Sequence, residues 1–159
     1  MMNNAHEQQM LPPIEELLSH TGDMLLLDRV LAFDSETTIV EYSPKSHAWY
    51  SDSMGDMPAW MGIELMAQTV AAHVGLLKRS QHAPPKHGML LGTRSYRASV
   101  PCFSAHAPLQ IQATIVYRDD SGLGAYDCVI RSGENILANA TLKVFEPDNF
   151  ESFLQGSPT

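Results

Sequence analysis

Between Leu109 and Tyr117 the side chains alternate, with Leu109, Ile111, Ala113, Ile115 and Tyr117 on one face and Gln110, Gln112 and Thr114 on the other. A two-residue period marks a strand with one face in the core. Three more stretches have strand length and composition: Gly88 to Tyr96, Leu123 to Arg131 and Asn135 to Phe145. Asp119-Asp120-Ser121-Gly122 and Ser132-Gly133-Glu134-Asn135 supply turns, so these last strands are expected to form an antiparallel meander. Upstream, the apolar run Met24 to Phe33 and the β-branched run Thr37 to Tyr42, joined by Asp34-Ser35-Glu36, predict a hairpin.

The period changes between the hairpin and the later strands. From Pro58 to Lys78 the chain is apolar almost all round, with small residues at Ala67, Ala71 and Gly75, which predicts a helix enclosed on most sides. Glu64, Gln68 and His73 inside it argue against a lipid environment, and no other apolar run reaches the roughly 20 residues of a membrane span. A short helix from Ile14 to Leu18 is expected after Pro12-Pro13. A hairpin, one buried helix and a run of antiparallel strands predict an α+β domain: a curved antiparallel sheet wrapped around one long central helix. The domain is expected over residues 12–147, with a flexible N-terminus at 1–11 and a tail at 148–159. Sheet edges and the open side of the helix need cover, so a dimer is expected.

With 159 residues and 44% hydrophobic content, the chain can build one core. The formal charge of -8 argues against nucleic acid or an anionic membrane as partner. Cys102 and Cys128 form neither a CxxC pair nor a metal-binding spacing, and the reducing cytoplasm is the expected location. The seven histidines, among them His20, His73, His82, His87 and His106, show no metal-ligand spacing, so no metal is expected. Gly88, Gly92, Gly122 and Gly124 compose no phosphate loop, no nucleophile elbow occurs, and no cofactor is expected.

Glu64 is the most unusual residue, because burying a charged carboxylate in an apolar helix costs several kcal/mol unless it is compensated. Its plainer role is to complement the helix N-terminus. Gln68, one turn later on the same face, can hydrogen-bond Glu64 or backbone. His47 lies in a turn-rich loop ahead of the helix, where a histidine is either solvated or brought to a site. Trp60 is expected to pack, and Trp49 either packs or walls an apolar channel.

Three segments together resemble the 3-hydroxyacyl-acyl-carrier-protein dehydratases, and more specifically the dehydratase-like proteins of aryl polyene biosynthesis. Leu18 to Val30, LSHTGDMLLLDRV, is similar to the family opening P-H-x-x-P-F-L-L-V-D-R-V. Met57 to Gln68, MPAWMGIELMAQ, is similar to M-P-G-V-L-x-x-E-A-x-A-Q and sets Glu64 and Gln68 on the family's helix glutamate and glutamine. The stretch from Gly88, GMLLGTRSYRASVPCFSAHAPLQIQATI, resembles the family's glycine-led strand and following Pro segment.

The resemblance implies a hotdog fold and a site in which a loop histidine and the helix glutamate come from different protomers of a dimer. His47 takes the histidine's place, followed by Ala48-Trp49 instead of Phe-Pro, and Ala59 replaces the family glycine at the helix start. His47 is then the base for the C2 proton of a 3-hydroxyacyl thioester, and Glu64 the acid for the departing C3 hydroxyl or the holder of a water. Gln68 positions Glu64, and backbone N–H groups near Ala59 and Trp60 polarise the thioester carbonyl. Trp60, Met61, Leu65 and Met89 are expected to line the acyl tunnel. Lys78, Arg79, Lys86, Arg94 and Arg97 are candidates for docking the acyl carrier protein. A hotdog thioesterase, or a catalytically weak partner subunit of a heteromeric dehydratase, remains open beside the dehydratase.

Overall fold

A computed structural model describes residues 11–83, 88–147 and Gly156. Residues 1–11, expected to be a flexible N-terminus, and 148–159, expected to be a tail, lie outside the described residues apart from Leu11 and Gly156. The strands are β1 (Arg29–Phe33), β2 (Thr37–Tyr42), β3 (Met57–Pro58), β4 (Met89–Ala98), β5 (Cys102–Phe103), β6 (Leu109–Arg118), β7 (Leu123–Ser132) and β8 (Asn135–Phe145). One helix, α1 (Gly62–Ser80), follows a 3-10 turn at Ala59–Met61. Six strands form one antiparallel sheet in the order β1-β2-β6-β7-β8-β4, and β3 pairs with β5. This is the α+β hotdog arrangement expected from the sequence.

The helix packs its Leu65, Met66, Val70, Ala72 and Leu76 into a core shared with Val40, Leu109, Ile111, Ala113, Tyr126, Ile130 and Leu142 of the sheet. Burying a side chain of that size is worth about 1.5–3 kcal/mol, so this interface holds the helix to the sheet. Gly62 permits the closest approach: a β-carbon there would lie 2.2 Å from the Tyr96 hydroxyl and 3.1 Å from Ile130 Cδ1. The Tyr96 hydroxyl itself donates to the Ala59 carbonyl, tying β4 to the start of the helix.

Four details depart from the expected elements. The strand predicted from Met24 is confined to Arg29–Phe33, and Gly22–Met24 is a 3-10 turn. Here the Leu26 N–H and the Met24 carbonyl are engaged by the Gln68 side chain and not by a neighbouring strand. The expected short helix is a single 3-10 turn, Ile14–Glu16. β6, β7 and β8 form the meander, but β4 lies at the outer edge beside β8, because the chain crosses over through β5 before entering β6. Finally, Tyr117 leaves the core face. A register shift between Ile115 and Tyr117 turns the strand, and Tyr117 is exposed with its hydroxyl donating to Asp119.

Candidate active site

Glu64 stands in the first turn of α1, and what fixes it is Gln68 one turn later. The Gln68 amide is fully buried: its Oε1 accepts the Leu26 N–H at 3.0 Å, while its Nε2 donates to the Met24 carbonyl at 2.8 Å and to Glu64 Oε1 at 3.0 Å. The Leu26 donor and the Met24 acceptor leave only one orientation of the amide, so the nitrogen must face the glutamate. Gln68 therefore holds Glu64 by a hydrogen bond within one chain.

The burial expected of Glu64 is not seen. Its side chain is 38% exposed, at the mouth of a groove, and His20 Nε2 lies 3.6 Å from its Oε1. His20 Nδ1 is buried without a hydrogen-bond partner among the described residues. Sequence reasoning passed over this histidine, counting it only as a non-ligand. The signal was its place in LSHTGDMLLLDRV, where it matches the histidine of the family opening.

The groove has a volume of about 460 Å³, within the range of small-molecule sites. It runs along α1 past Ala67, Val70, Ala71, Val74 and Gly75, walled by the 16–20 segment and the start of β4, and ends at Lys78 and Glu146. The small residues that suggested an enclosed helix are its floor. Of the four expected lining residues only Met89 borders it. Met61 and Leu65 are 2% and 0% exposed in the core on the opposite side of the helix, and Trp60 points outward, 63% exposed, against the expectation that it packs.

His47 is exposed, and among the described residues its ring has no hydrogen-bond or ion-pair partner. Within one chain it is His20, not His47, that meets Glu64. The His47 loop is anchored two residues on, where the half-exposed Trp49 donates its indole N–H to the Asp23 carbonyl at 3.0 Å. Tyr50 then closes the loop through a hydroxyl–hydroxyl bond to Tyr42 and accepts the Lys45 N–H at 3.0 Å. The backbone donor expected of Ala59 is already committed, since its N–H bonds the Pro101 carbonyl at 3.0 Å.

Asp52, Asp56 and Cys102 bring potential metal-ligand atoms within 4.8 Å of one another. Their hydrogen bonds explain the cluster without a metal: Asp52 accepts the N–H groups of Met54 and Asp56, and Asp56 accepts that of Ala105. Both cysteines are free. Burial and the neighbouring Asp56 and Asp52 raise the Cys102 thiol, and burial pushes Cys128 up to about 12, so neither is a ready thiolate. Of the basic candidates, Lys78 is drawn inward to Glu146 and Arg79 pairs with Glu16 at 2.8 Å, while Arg94 and Arg97 are exposed on β4. Lys86 lies outside the described residues. No helix among the described residues is long and apolar enough to cross a membrane.

Comparison with known proteins adds the family. The model of the ApeP-like family, described as ApeP dehydratase, matches residues 12–155. No curated protein matches the sequence significantly. Among solved structures, the dehydratase heterocomplex ApeI:P from Xenorhabdus doucetiae is similar with a TM-score of 0.84 and 25% identity, over 91% of this chain and 96% of that one. The PaaI protein of the Escherichia coli phenylacetic acid degradation operon aligns with a TM-score of 0.57 and 13% identity over 73% and 80% of the two chains. A hypothetical thioesterase from Streptococcus pneumoniae, solved with coenzyme A, aligns with a TM-score of 0.56 and 16% identity over 74% and 84%. These last two share the fold alone. The match across nearly the whole described domain, joined to the Glu64–Gln68 arrangement, bears out the resemblance read from the sequence: the chain belongs to the ApeP-like dehydratase family and is a hydro-lyase of the hotdog fold.

Proposed function

We propose that the protein removes water from a 3-hydroxyacyl group carried as a thioester on an acyl carrier protein, giving the trans-2-enoyl thioester, in the cytoplasm and in aryl polyene biosynthesis. The observation that carries this reading is a carboxylate, Glu64, clamped by Gln68 at the mouth of an apolar groove of acyl dimensions. His47 of a second copy or of a paralogous subunit takes the C2 proton, the C2–H electron pair becomes the C2–C3 double bond, and the C3–O bond breaks. Glu64 gives the departing hydroxide its proton, so that water leaves. The helix start around Trp60 faces the thioester carbonyl and offsets the charge that develops there.

A second reading is favoured by one distance. His20, 3.6 Å from Glu64 in the same chain, is placed to serve as the base or to return a proton to Glu64 between turnovers. Dimerisation is supported by β4, which has no strand on its outer side among the described residues and exposes Leu90 and Leu91. The similar Xenorhabdus structure is a heterocomplex, which supports a paralogous dehydratase subunit as the partner. Arg94 and Arg97 on the same strand are the proposed contacts for the acidic carrier.

The test is mass spectrometry of a 3-hydroxyacyl carrier protein incubated with the wild type and with the His47→Ala, His20→Ala and Glu64→Gln variants, alone and with the paralogous subunit. Loss of water with wild type and not with Glu64→Gln is the expected result, and whichever histidine variant stops turnover identifies the base. Release of free carrier would make the protein a thioesterase and overturn the reading. An acylated, unchanged carrier in every mixture would overturn it as well.

A further inference from the structure

β4 holds one residue too many for its place beside β8. Arg94 stands opposite Thr141 and Arg97 opposite Asn139, so three steps on β4 match two on β8. Within the insertion Ser95 has a φ of +54, in the left-handed region that a serine seldom occupies. A bulge of this kind re-aims the side chains beyond it. In a regular strand Tyr96 would share the exposed face of Arg94. With the insertion it turns toward the helix, and Arg97 regains the exposed face.

The bulge delivers one phenol to one carbonyl. Tyr96 is partly buried, and its hydroxyl donates to the Ala59 carbonyl oxygen, which also accepts the Gly62 N–H that closes the 3-10 turn. A β-carbon at Gly62 would lie 2.2 Å from the phenol oxygen, so the glycine keeps the approach open. Ala59 is held on its other side as well, where its N–H bonds the Pro101 carbonyl at 3.0 Å. Burial raises the Tyr96 phenol above its ordinary value, so it keeps the proton it donates. The Ala59 carbonyl and the Trp60 N–H are the two ends of one peptide group, and among the described residues no acceptor meets that N–H. A hydrogen bond accepted at the oxygen of a peptide group draws electron density from its nitrogen and strengthens the N–H as a donor.

We propose that Tyr96 is a positioning residue for the reaction: it fixes the Ala59–Trp60 peptide ahead of α1 and polarises the Trp60 N–H toward the thioester carbonyl of the substrate. This role rests on the dehydratase reading of the site. Negative charge gathers on the carbonyl oxygen as the C2 proton leaves, so a stronger donor there favours the transition state over the bound substrate. Loss of the phenol therefore lowers kcat and leaves KM almost unchanged.

The experiment grades the donor at position 96 in the full chain, alone and with the paralogous subunit. Tyr96→Phe removes the hydroxyl, and fluorotyrosine incorporated at the same position makes a stronger donor of almost the same shape. Infrared difference spectra of a bound acyl-pantetheine thioester, isotopically labelled at the carbonyl carbon and lacking the 3-hydroxyl, read the polarisation directly. The carbonyl band is expected to move furthest to low frequency with fluorotyrosine, less with wild type and least with Tyr96→Phe. The kcat of dehydration is expected to follow the same order, falling about fivefold from wild type to Tyr96→Phe. A purely structural phenol would lower the melting temperature of Tyr96→Phe yet give wild type and the fluorotyrosine protein the same band and the same kcat, and that result overturns the role. A shifted wild-type band that Tyr96→Phe leaves in place overturns it too. If Tyr96→Phe does not fold, wild type against fluorotyrosine decides alone. A thioester that binds with no band shift overturns the role and leaves the dehydratase reading standing, whereas one that does not bind at all overturns both.

Discussion

His73 sits at the centre of the buried face of α1, fully shielded from solvent. Its Nδ1 shares a 2.8 Å hydrogen bond with the Thr38 hydroxyl, Nε2 has none, and the ring packs against Phe33 and Tyr126. Burial pushes its pKa down to about 4, with Asp34 opposing and Arg118 reinforcing the shift. Between the ordinary histidine value and this one the unfolded chain takes up a proton that the folded chain refuses. Stability is therefore complete above about pH 6.5 and falls as the pH drops toward 4, by on the order of 3 kcal/mol in all. Asp34, held low by the N–H groups of Glu36 and Thr37, adds its own loss only at more acid pH. Urea unfolding midpoints at pH 7 and pH 5 are expected to differ clearly for wild type and much less for His73→Leu. At the same scale the sequence was only partly informative. Glu64 and Gln68 announced themselves as polar residues on an apolar helix, whereas His20 lies in a segment whose approach to Glu64 depends on the chain passing α1, and no local pattern encodes that.

At the scale of the elements, the ends of several strands were legible almost to the residue. β2, β6 and β8 run over Thr37–Tyr42, Leu109–Arg118 and Asn135–Phe145, within a residue of the stretches read from the sequence, although the alternation from Leu109 holds only as far as Ile115. The segment after Ser19 was not, since its apolar run reads as strand from Met24 while its backbone is paired with a side chain. Gln68 thus joins two elements as well as orienting a glutamate. Gln68→Leu strands a buried N–H and a carbonyl, and is expected to destabilise the fold by about 2–3 kcal/mol. Gln68→Glu places a second carboxylate beside Glu64 and a carbonyl-facing oxygen where a donor was, so its loss should be larger. Thermal unfolding with kcat on the same samples checks both: a fall in kcat for Gln68→Leu, measured well below its melting point, is the outcome expected if the amide also positions Glu64.

For the molecule as a whole, sheet order was the least legible property. The position of β4 beside β8 follows from a crossover through the β3–β5 pair, and connectivity of that range leaves no local mark. That placement leaves β4 as an open edge among the described residues, with Leu91 52% exposed and Leu90, 41% exposed, bordering the groove. Leu91→Asp introduces charge on this edge and is expected to convert the proposed dimer to monomer in sedimentation velocity, with activity falling in parallel. An unchanged sedimentation coefficient would move the interface elsewhere. The floor of the groove carries a different consequence. Ala67, Ala71 and Gly75 recur every fourth residue, about 6 Å apart along the axis, and a β-carbon at Gly75 would already lie 3.0 Å from the Leu17 carbonyl oxygen. The helix is in effect a graduated rule laid beside the chain. On the proposed acyl reading, a bulky residue at Ala71 is expected to shorten the chain the groove admits without touching Glu64, whereas one at Gly75 would first displace the Leu17 backbone.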